Sequence, residues 1–368
     1  MDAISPQSAT AAAAGTQTLA VDSGGRKLAR IVKVLAVEPI SGADRIVLYT
    51  VLGWKVIGQK DQFEIGGLVI YFEIDSLLPN NPTDPWAFLD GKPLKTKKMR
   101  GVISQGLIGP LDWLPKDFDR SGAQEGLDVT TVLGVKKFVA DEERKVYESS
   151  SSRPNLAPTR APFPENLVPK TDEERVQSLT PGALDQLVGR PCVITRKEDG
   201  TSTTVIYNGN NVQICSRNNV LLVNGPDTKE YFEMVEKYKL VEKLHVLKRN
   251  IAIQGETCGP KINGGRTKIK ENDFLVFNIV DIDKKIYLNW SDVRTICSSL
   301  GLKTVPVIWE GIFPKEWASV QTLLDLANKQ EYAPKVPAEG IVLKTSDDPE
   351  KRFSCKIISN NYLLKNAV

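Results

Sequence analysis

The chain has 368 residues, with 48 Lys and Arg against 45 Asp and Glu and one histidine. That length suits about two domains, and 41% hydrophobic with 25% charged residues excludes disordered, collagen-like and membrane classes. A formal charge of +3 gives no bulk signal for nucleic acid, and the one histidine leaves a multi-histidine zinc site or a serine-hydrolase triad short of parts. His245 lies in VEKLHVLKRN with no Cys or carboxylate at ligand spacing, and reads as a solvated or packing side chain.

Residues 1–26 are rich in Ala, Ser and Thr and read as a disordered tail. They lack the basic start of a secretory signal and the arginines of a mitochondrial presequence. Residues 27–140 alternate short apolar runs with glycine breaks: KLARIVKVLAVEPI, RIVLYTVLGWKVIG split at Gly53, GGLVIYFEID and RGVISQGLIGPL. Short strands at close spacing predict a small β-barrel. Residues 141–166 are charged, then Ser-rich, then Pro-rich, and read as a linker. From 167 to 368 the texture is α+β. The spacing predicts a hairpin turning at 208–211, helices over KEYFEMVEKYKLVEKLHVL, DVRTICSSLG and KEWASVQTLLDLANK, and strands AEGIVLKT and RFSCKIIS closing the chain. Cys192, Cys215, Cys258, Cys297 and Cys355 are odd in number and form no C-x-x-C pair, as expected of reduced thiols in an intracellular protein, cytoplasmic or nuclear. No apolar run approaches the roughly 18 residues of a membrane span.

The chemically informative segment is Lys197-Glu198-Asp199-Gly200-Thr201-Ser202. A lysine ends an apolar strand, an acid follows two residues on, and a glycine permits a tight turn. A free lysine, with a pKa of about 10.4, is a poor nucleophile at neutral pH. It serves as one only where desolvation or a nearby cation favours the neutral amine. On its own the segment reads more readily as a surface turn with a Lys–Asp pair, since four residues recur by chance.

K-E-D-G-T-S resembles motif I of the covalent nucleotidyltransferases, the superfamily of DNA ligases, RNA ligases and capping enzymes. Segments resembling its other motifs follow in order. Ser216-Arg217 resembles motif Ia, Gly255-Glu256-Thr257-Cys258-Gly259 motif III, and Phe277-Asn278-Ile279-Val280-Asp281 motif IIIa. Glu339-Gly340-Ile341-Val342-Leu343-Lys344 resembles motif IV, and Ser354-Cys355-Lys356-Ile357 is placed like motif V. Upstream, the K-T-D-E-x-R pattern carrying Arg175 resembles the segment that precedes motif I in RNA ligases. In the first domain, Val34–Ile46 resembles the start of a tRNA-binding-type OB fold, and Arg100–Leu107 its later R-G-x-x-S-x-G strand. An OB-like domain ahead of the transferase domain, with only residues 361–368 after the motif V strand, is similar to the Naegleria-type ATP-dependent RNA ligases. DNA ligases and capping enzymes place theirs after motif V.

The resemblance implies an α+β architecture: an OB-like β-barrel followed by a nucleotidyltransferase domain with antiparallel sheets around a nucleotide cleft. It implies that Lys197 attacks the α-phosphorus of ATP to give lysyl-AMP, and that AMP passes to a 5′-phosphate which a 3′-hydroxyl then seals. Asp199, Glu256 and Glu339 would hold Mg²⁺ or Mn²⁺ mostly through water; Asp199 is alternatively a ribose ligand. Arg217 would hold phosphate or ribose. Phe277 would stack on adenine or simply fill the core. Gly200 would contact the nucleotide at the turn, Lys344 and Lys356 would neutralise phosphates, and Arg175 would help hold the triphosphate. Motif V commonly reads K-x-K, whereas Ser354 stands at the first position here, leaving Lys351 or Arg352 to compensate. The expected partner is a nicked duplex with an RNA 3′-OH strand, bound by a monomer. The basic run Lys95–Arg100 is either a nucleic-acid contact or a solvated loop, and Lys261, Arg266, Lys268 and Lys270 form a second run expected to grip the nicked strand. The competing readings are a capping-type guanylyltransferase and a non-catalytic tRNA-binding OB protein.

Overall fold

The computed structural model describes residues 26–138, 159–209 and 211–366. The expected tail, apart from Arg26, and most of the expected linker lie outside the described residues.

The long strand Ala29–Pro39 organises the first domain. It lies at the centre of a five-stranded antiparallel sheet in the order Trp54–Gln59, Ile46–Val51, Ala29–Pro39, Leu68–Phe72, Leu107–Gly109. Its first half pairs with Leu68–Phe72 and its second with Ile46–Val51, and the register shifts between Val34 and Ala36. Such a bulge bends a strand and lets one segment serve both walls of a barrel. The hairpin Thr96–Met99/Val102–Gln105 comes close to closing the barrel, with Ile57 N donating to Ser104 Oγ at 3.0 Å. One side of the sheet packs Tyr49, Trp54 and Tyr71, and the other packs Phe72 with Trp86 and Trp113. Burying aromatics of this size supplies much of a small domain's stability.

The second region is built on two sheets. The larger runs Arg160–Pro162, Asn219–Leu221, Asn211–Cys215, Thr201–Asn208, Ile251–Cys258, Asp273–Asp281, Ile286–Tyr287, with Lys303–Thr304 added in parallel to Asp273–Asp281. The smaller runs Val307–Ile312, Pro191–Lys197, Gly340–Thr345, Ser354–Ile358. Helices Lys229–Lys237, Leu240–Leu247 and Trp290–Leu300 cover the larger sheet with Met234, Leu240, Leu244, Val293 and Ile296. Helix Val320–Asn328 covers the smaller with Leu323, Leu324 and Ala327. Few helices against antiparallel sheets make this an α+β fold.

Four local expectations are corrected. KEYFEMVEKYKLVEKLHVL is two helices, broken where Lys239 takes a φ of 51°; no Gly or Pro marks the break, and Tyr238 is held there by its bond to Asp273. KEWASVQ opens as a 3-10 turn, Lys315–Trp317, and the helix starts only at Val320 because Ser319 is extended. Residues 160–162, read as linker, pair with Asn219–Leu221. The chain does not close on a strand, since helix Asn360–Asn366 follows. The hairpin at 208–211 forms as expected, Asn208 pairing with Asn211. All five cysteines are buried free thiols. His245 is exposed, its Nδ1 bonded to the Val241 carbonyl and its ring edge-on to Tyr207. Among the described residues no helix is long and apolar enough to cross a membrane.

Polar contacts join the two regions. Trp54 Nε1 donates to Ser178 Oγ at 3.3 Å, and Gly53 N to the Gln177 carbonyl at 2.8 Å. Arg175 is buried between Glu73 and Asp75 of the barrel, with its guanidinium 5.8 Å from the Trp54 ring centroid.

Candidate active site

Strand register brings distant motifs together. Lys197, last in its strand, pairs with Gly340, which puts Glu339 beside it. The chain then crosses between sheets through Glu198-Asp199-Gly200, and on the far side Ser202 pairs with Glu256. The crossing is tight. A Cβ at Gly200 would lie 2.3 Å from the Thr257 carbonyl oxygen and 3.0 Å from Glu256 Cγ, so only glycine fits. The Gly200 amide donates to Glu256 Oε1 at 3.0 Å. Tyr332 clips the same corner, donating to the Lys197 carbonyl at 2.7 Å while accepting from the Glu339 amide at 3.2 Å.

The result is a cleft of about 310 Å³ at the crossing. Its walls carry Lys197, Asp199, Gly200, Arg217, Glu256, Phe277, Glu339, Lys344 and Lys356, so of the residues expected to catalyse or to hold the nucleotide all but Arg175 reach it. The Arg175 side chain is instead engaged by Asp75 and Glu73 of the barrel, although its backbone bridges to that of Lys356. Asp172 and Glu173, in the segment before motif I, also face the cleft. Burial alone would raise the Asp172 carboxyl, but its partner Arg217, then Lys356 and Lys137, hold it below its ordinary range.

Lys197 Nζ donates to Glu339 Oε2 at 2.7 Å. Burial alone would lower the proton affinity of this amine, but Glu339, Glu256 and Asp199 outweigh it and the pKa is raised. Burial pushes Glu256 up to about 7, with Glu339 and Asp199 adding to the shift and Lys197 opposing it. Deeper in the cleft the balance reverses. Lys344 donates to the Phe277 carbonyl at 2.7 Å and to Asn278 Oδ1 at 2.9 Å, both neutral acceptors. Burial, then Arg352, brings its pKa down to about 7. Burial, then Arg175 and Lys197, brings Lys356 down to about 7 as well. One cleft thus holds a carboxylate cluster around an amine and a pair of desolvated lysines that have, among the described residues, no anion of their own at hydrogen-bond range, the arrangement expected of a site that receives a polyanion.

At motif V, Ser354 pairs across the sheet with Lys344, and its buried Oγ has no hydrogen-bond partner among the described residues. Of the two substitutes considered from sequence, Arg352 pairs with the cleft residue Glu173 at 3.2 Å and stacks 3.9 Å over the Tyr287 ring centroid. Lys351 stays exposed beside Asp348. Of the second basic run, Arg266 turns inward to Asp199 at 3.1 Å, whereas Lys261, Lys268 and Lys270 are exposed. Asn263 and Tyr362 also donate to Asp199, at 2.9 and 2.7 Å. Neither carries a sequence signal, because a lone Asn in a turn and a lone Tyr in a terminal helix repeat at no telling spacing.

Comparison with known proteins agrees with this architecture. The RNA ligase family model matches residues 190–358, and an OB-fold domain model matches residues 28–111. No curated protein matches. Among solved structures, a mutant of Naegleria gruberi RNA ligase with ATP and Mn superposes at a TM-score of 0.80 and 32% identity, covering 92% of this chain and 99% of that one. The same enzyme with PPi gives 0.79 and 31%, covering 93% and 99%. A further mutant with AMP and Mn gives 0.80 and 32%, covering 93% and 99%. With an OB-fold domain ahead of a ligase domain, and with that likeness running over nearly the whole of both chains, this protein belongs to the RNA ligase family.

Proposed function

We propose that this RNA ligase seals 3′-OH/5′-phosphate nicks in a duplex whose 3′-OH strand is RNA, using ATP and a nucleotide-linked Lys197. The observation that carries the reading is the placement of one lysine among three acids in a cleft that Lys344 and Lys356 also line. ATP has the matching chemistry: a triphosphate for the lysines, a base for the Phe277 ring, and an α-phosphorus for Lys197. The solved Naegleria gruberi complexes with ATP, AMP and PPi support the same nucleotide here.

The chemistry follows from the groups present. The neutral Lys197 amine attacks the α-phosphorus, forming an N–P bond as the bond to pyrophosphate breaks. Its proton passes to the neighbouring carboxylate or to water; Glu256, titrating at about 7, suits that exchange. Lys344 and Lys356 gain full charge as the leaving pyrophosphate pairs with them. A 5′-phosphate oxygen at the nick then displaces Lys197 from the AMP phosphorus. Finally the RNA 3′-oxygen attacks the activated 5′-phosphate, AMP leaves and the phosphodiester forms. Arg217 holds phosphate or ribose at the cleft rim.

The residues also fit a divalent ion. Among the described residues no three His, Cys, Asp or Glu side chains converge as direct ligands, while Asp199, Glu256 and Glu339 surround the lysine, so this donor set suits a hydrated Mg²⁺ or Mn²⁺ held through water. Such an ion supplies positive charge that offsets the acids around Lys197 and the charge at the α-phosphate.

The decisive experiment incubates the protein with labelled ATP or GTP and a divalent ion, then offers paired strands with RNA or DNA on each side of a nick. An acid-labile, alkali-stable AMP adduct that is absent in Lys197→Ala, followed by sealing of RNA 3′-OH nicks, is the expected result. A guanylate adduct, or no adduct, overturns the reading.

A further inference from the structure

The C-terminal helix Asn360–Asn366 touches both domains and the cleft. It leaves the cleft directly: Ser359 N donates to the Glu339 carbonyl at 2.9 Å. On its barrel side, buried Gln105 donates to Asn360 Oδ1 at 3.2 Å, and Leu363 packs against the barrel core containing Tyr71 and Trp54. Gln105 is itself fixed, its carbonyl accepting from Tyr71 OH and its amide donating to Thr96 Oγ1. On its cleft side, Tyr362 OH donates to Asp199 Oδ2 at 2.7 Å, the oxygen that Arg266 also holds.

We propose that Tyr362 is a positioning residue through which seating of the OB domain orients Asp199 for the lysine–nucleotide step. The inference rests on the reading that Lys197 takes up AMP, and it assigns the barrel a part in that step separate from any contact with nucleic acid. The path is short: Gln105 to Asn360, two residues along the helix to Tyr362, then Asp199. A hydroxyl donating to a carboxylate is worth more than a neutral bond, and Asp199 is buried, so the orientation is firmly set. If the barrel shifts, the helix moves with Leu363, and the carboxylate beside the lysine loses one of its donors.

The test uses the full chain and the variants Tyr362→Phe, Gln105→Ala and the double variant. Single-turnover formation of the Lys197–AMP adduct is read against ATP concentration. Tyr362→Phe is expected to slow the saturated rate about tenfold, with half-saturation by ATP within about twofold, as for loss of one charge-assisted bond. Gln105→Ala, far from the nucleotide, is expected to slow it about threefold, and the double variant to be no slower than Tyr362→Phe, because both act through one path. Amide exchange at 199–201 in the nucleotide-free protein is expected to quicken in both single variants, a readout independent of activity. Gln105→Ala also keeps the test open if Tyr362→Phe folds poorly. Wild-type rates in both single variants, or independent multiplication of their effects, would overturn the proposal while leaving the wild-type adduct intact. Absence of an adduct in the wild type removes the underlying reading instead.

Discussion

The Lys197 amine and the Glu339 carboxylate stand 2.7 Å apart, so the group placed to attack a phosphorus is, in the free protein, locked as an ammonium. Burial favours its neutral form, but Glu339 and Glu256 together prevail. Removing the Glu339 charge therefore leaves burial less opposed and lowers the proton affinity of Lys197. In Glu339→Gln, labelling of Lys197 by an amine-selective acylating reagent is expected to reach its midpoint at lower pH than in the wild type, even though catalysis falls. An unchanged midpoint would show that the pair does not control the amine.

Glu256 titrates at about 7, above its ordinary 4.5, chiefly because it is buried. Between those pH values the folded chain binds a proton that the unfolded chain has released, so this group's contribution falls as pH rises and its penalty is complete above about pH 7. Glu256→Gln cannot ionise and can still accept from the Gly200 amide. Its stability relative to wild type is expected to improve by about 1–3 kcal/mol between pH 5 and pH 8, read by denaturant unfolding. A constant difference across that range would contradict the assignment.

Lys344 and Lys356, both at about 7, are partly neutral at pH 7.5. A bound polyanion raises both and draws protons from solvent. Titration calorimetry of inorganic pyrophosphate in buffers of different ionisation enthalpy is expected to show uptake of roughly one proton. Lys344→Met and Lys356→Met should each reduce it. Proton release, or none, would sink the idea.

Gly200→Ala places a Cβ 2.3 Å from the Thr257 carbonyl oxygen. Backbone cannot yield as a flexible side chain would, so a loss of about 1–3 kcal/mol is expected in denaturant unfolding. The adduct should fall at least tenfold, because the strained turn carries Asp199 and abuts Glu256. Normal adduct formation in a stable Gly200→Ala protein would show the crossing to be looser than its geometry indicates.

Much of the cleft is legible before folding because the chemistry needs particular residue types beside a strand end or a turn. Lys197, Gly200, Glu256 and Glu339 fall in short local patterns, and strand pairing then brings those patterns into register. Arg175 sits in an equally recognisable segment, yet its side chain is taken by Asp75 and Glu73 from a different domain, a contact that no local pattern encodes. Arg266 likewise reads as one of several exposed cations and is found on Asp199. Tyr332 and Tyr362 are single polar aromatics whose value comes entirely from what they touch.

The sequence by itself determined the two-part α+β plan, the alternation that makes the barrel strands, and the ordered set of charged and glycine residues around Lys197, since periodicity and motif spacing are properties of neighbours along the chain. Only the tertiary structure decided that the amine is paired with Glu339, that Lys344 and Lys356 are desolvated, and that the terminal helix joins barrel to cleft. Those outcomes depend on burial and on charges brought together from far apart in the chain, and both come into being only when the sheets pack.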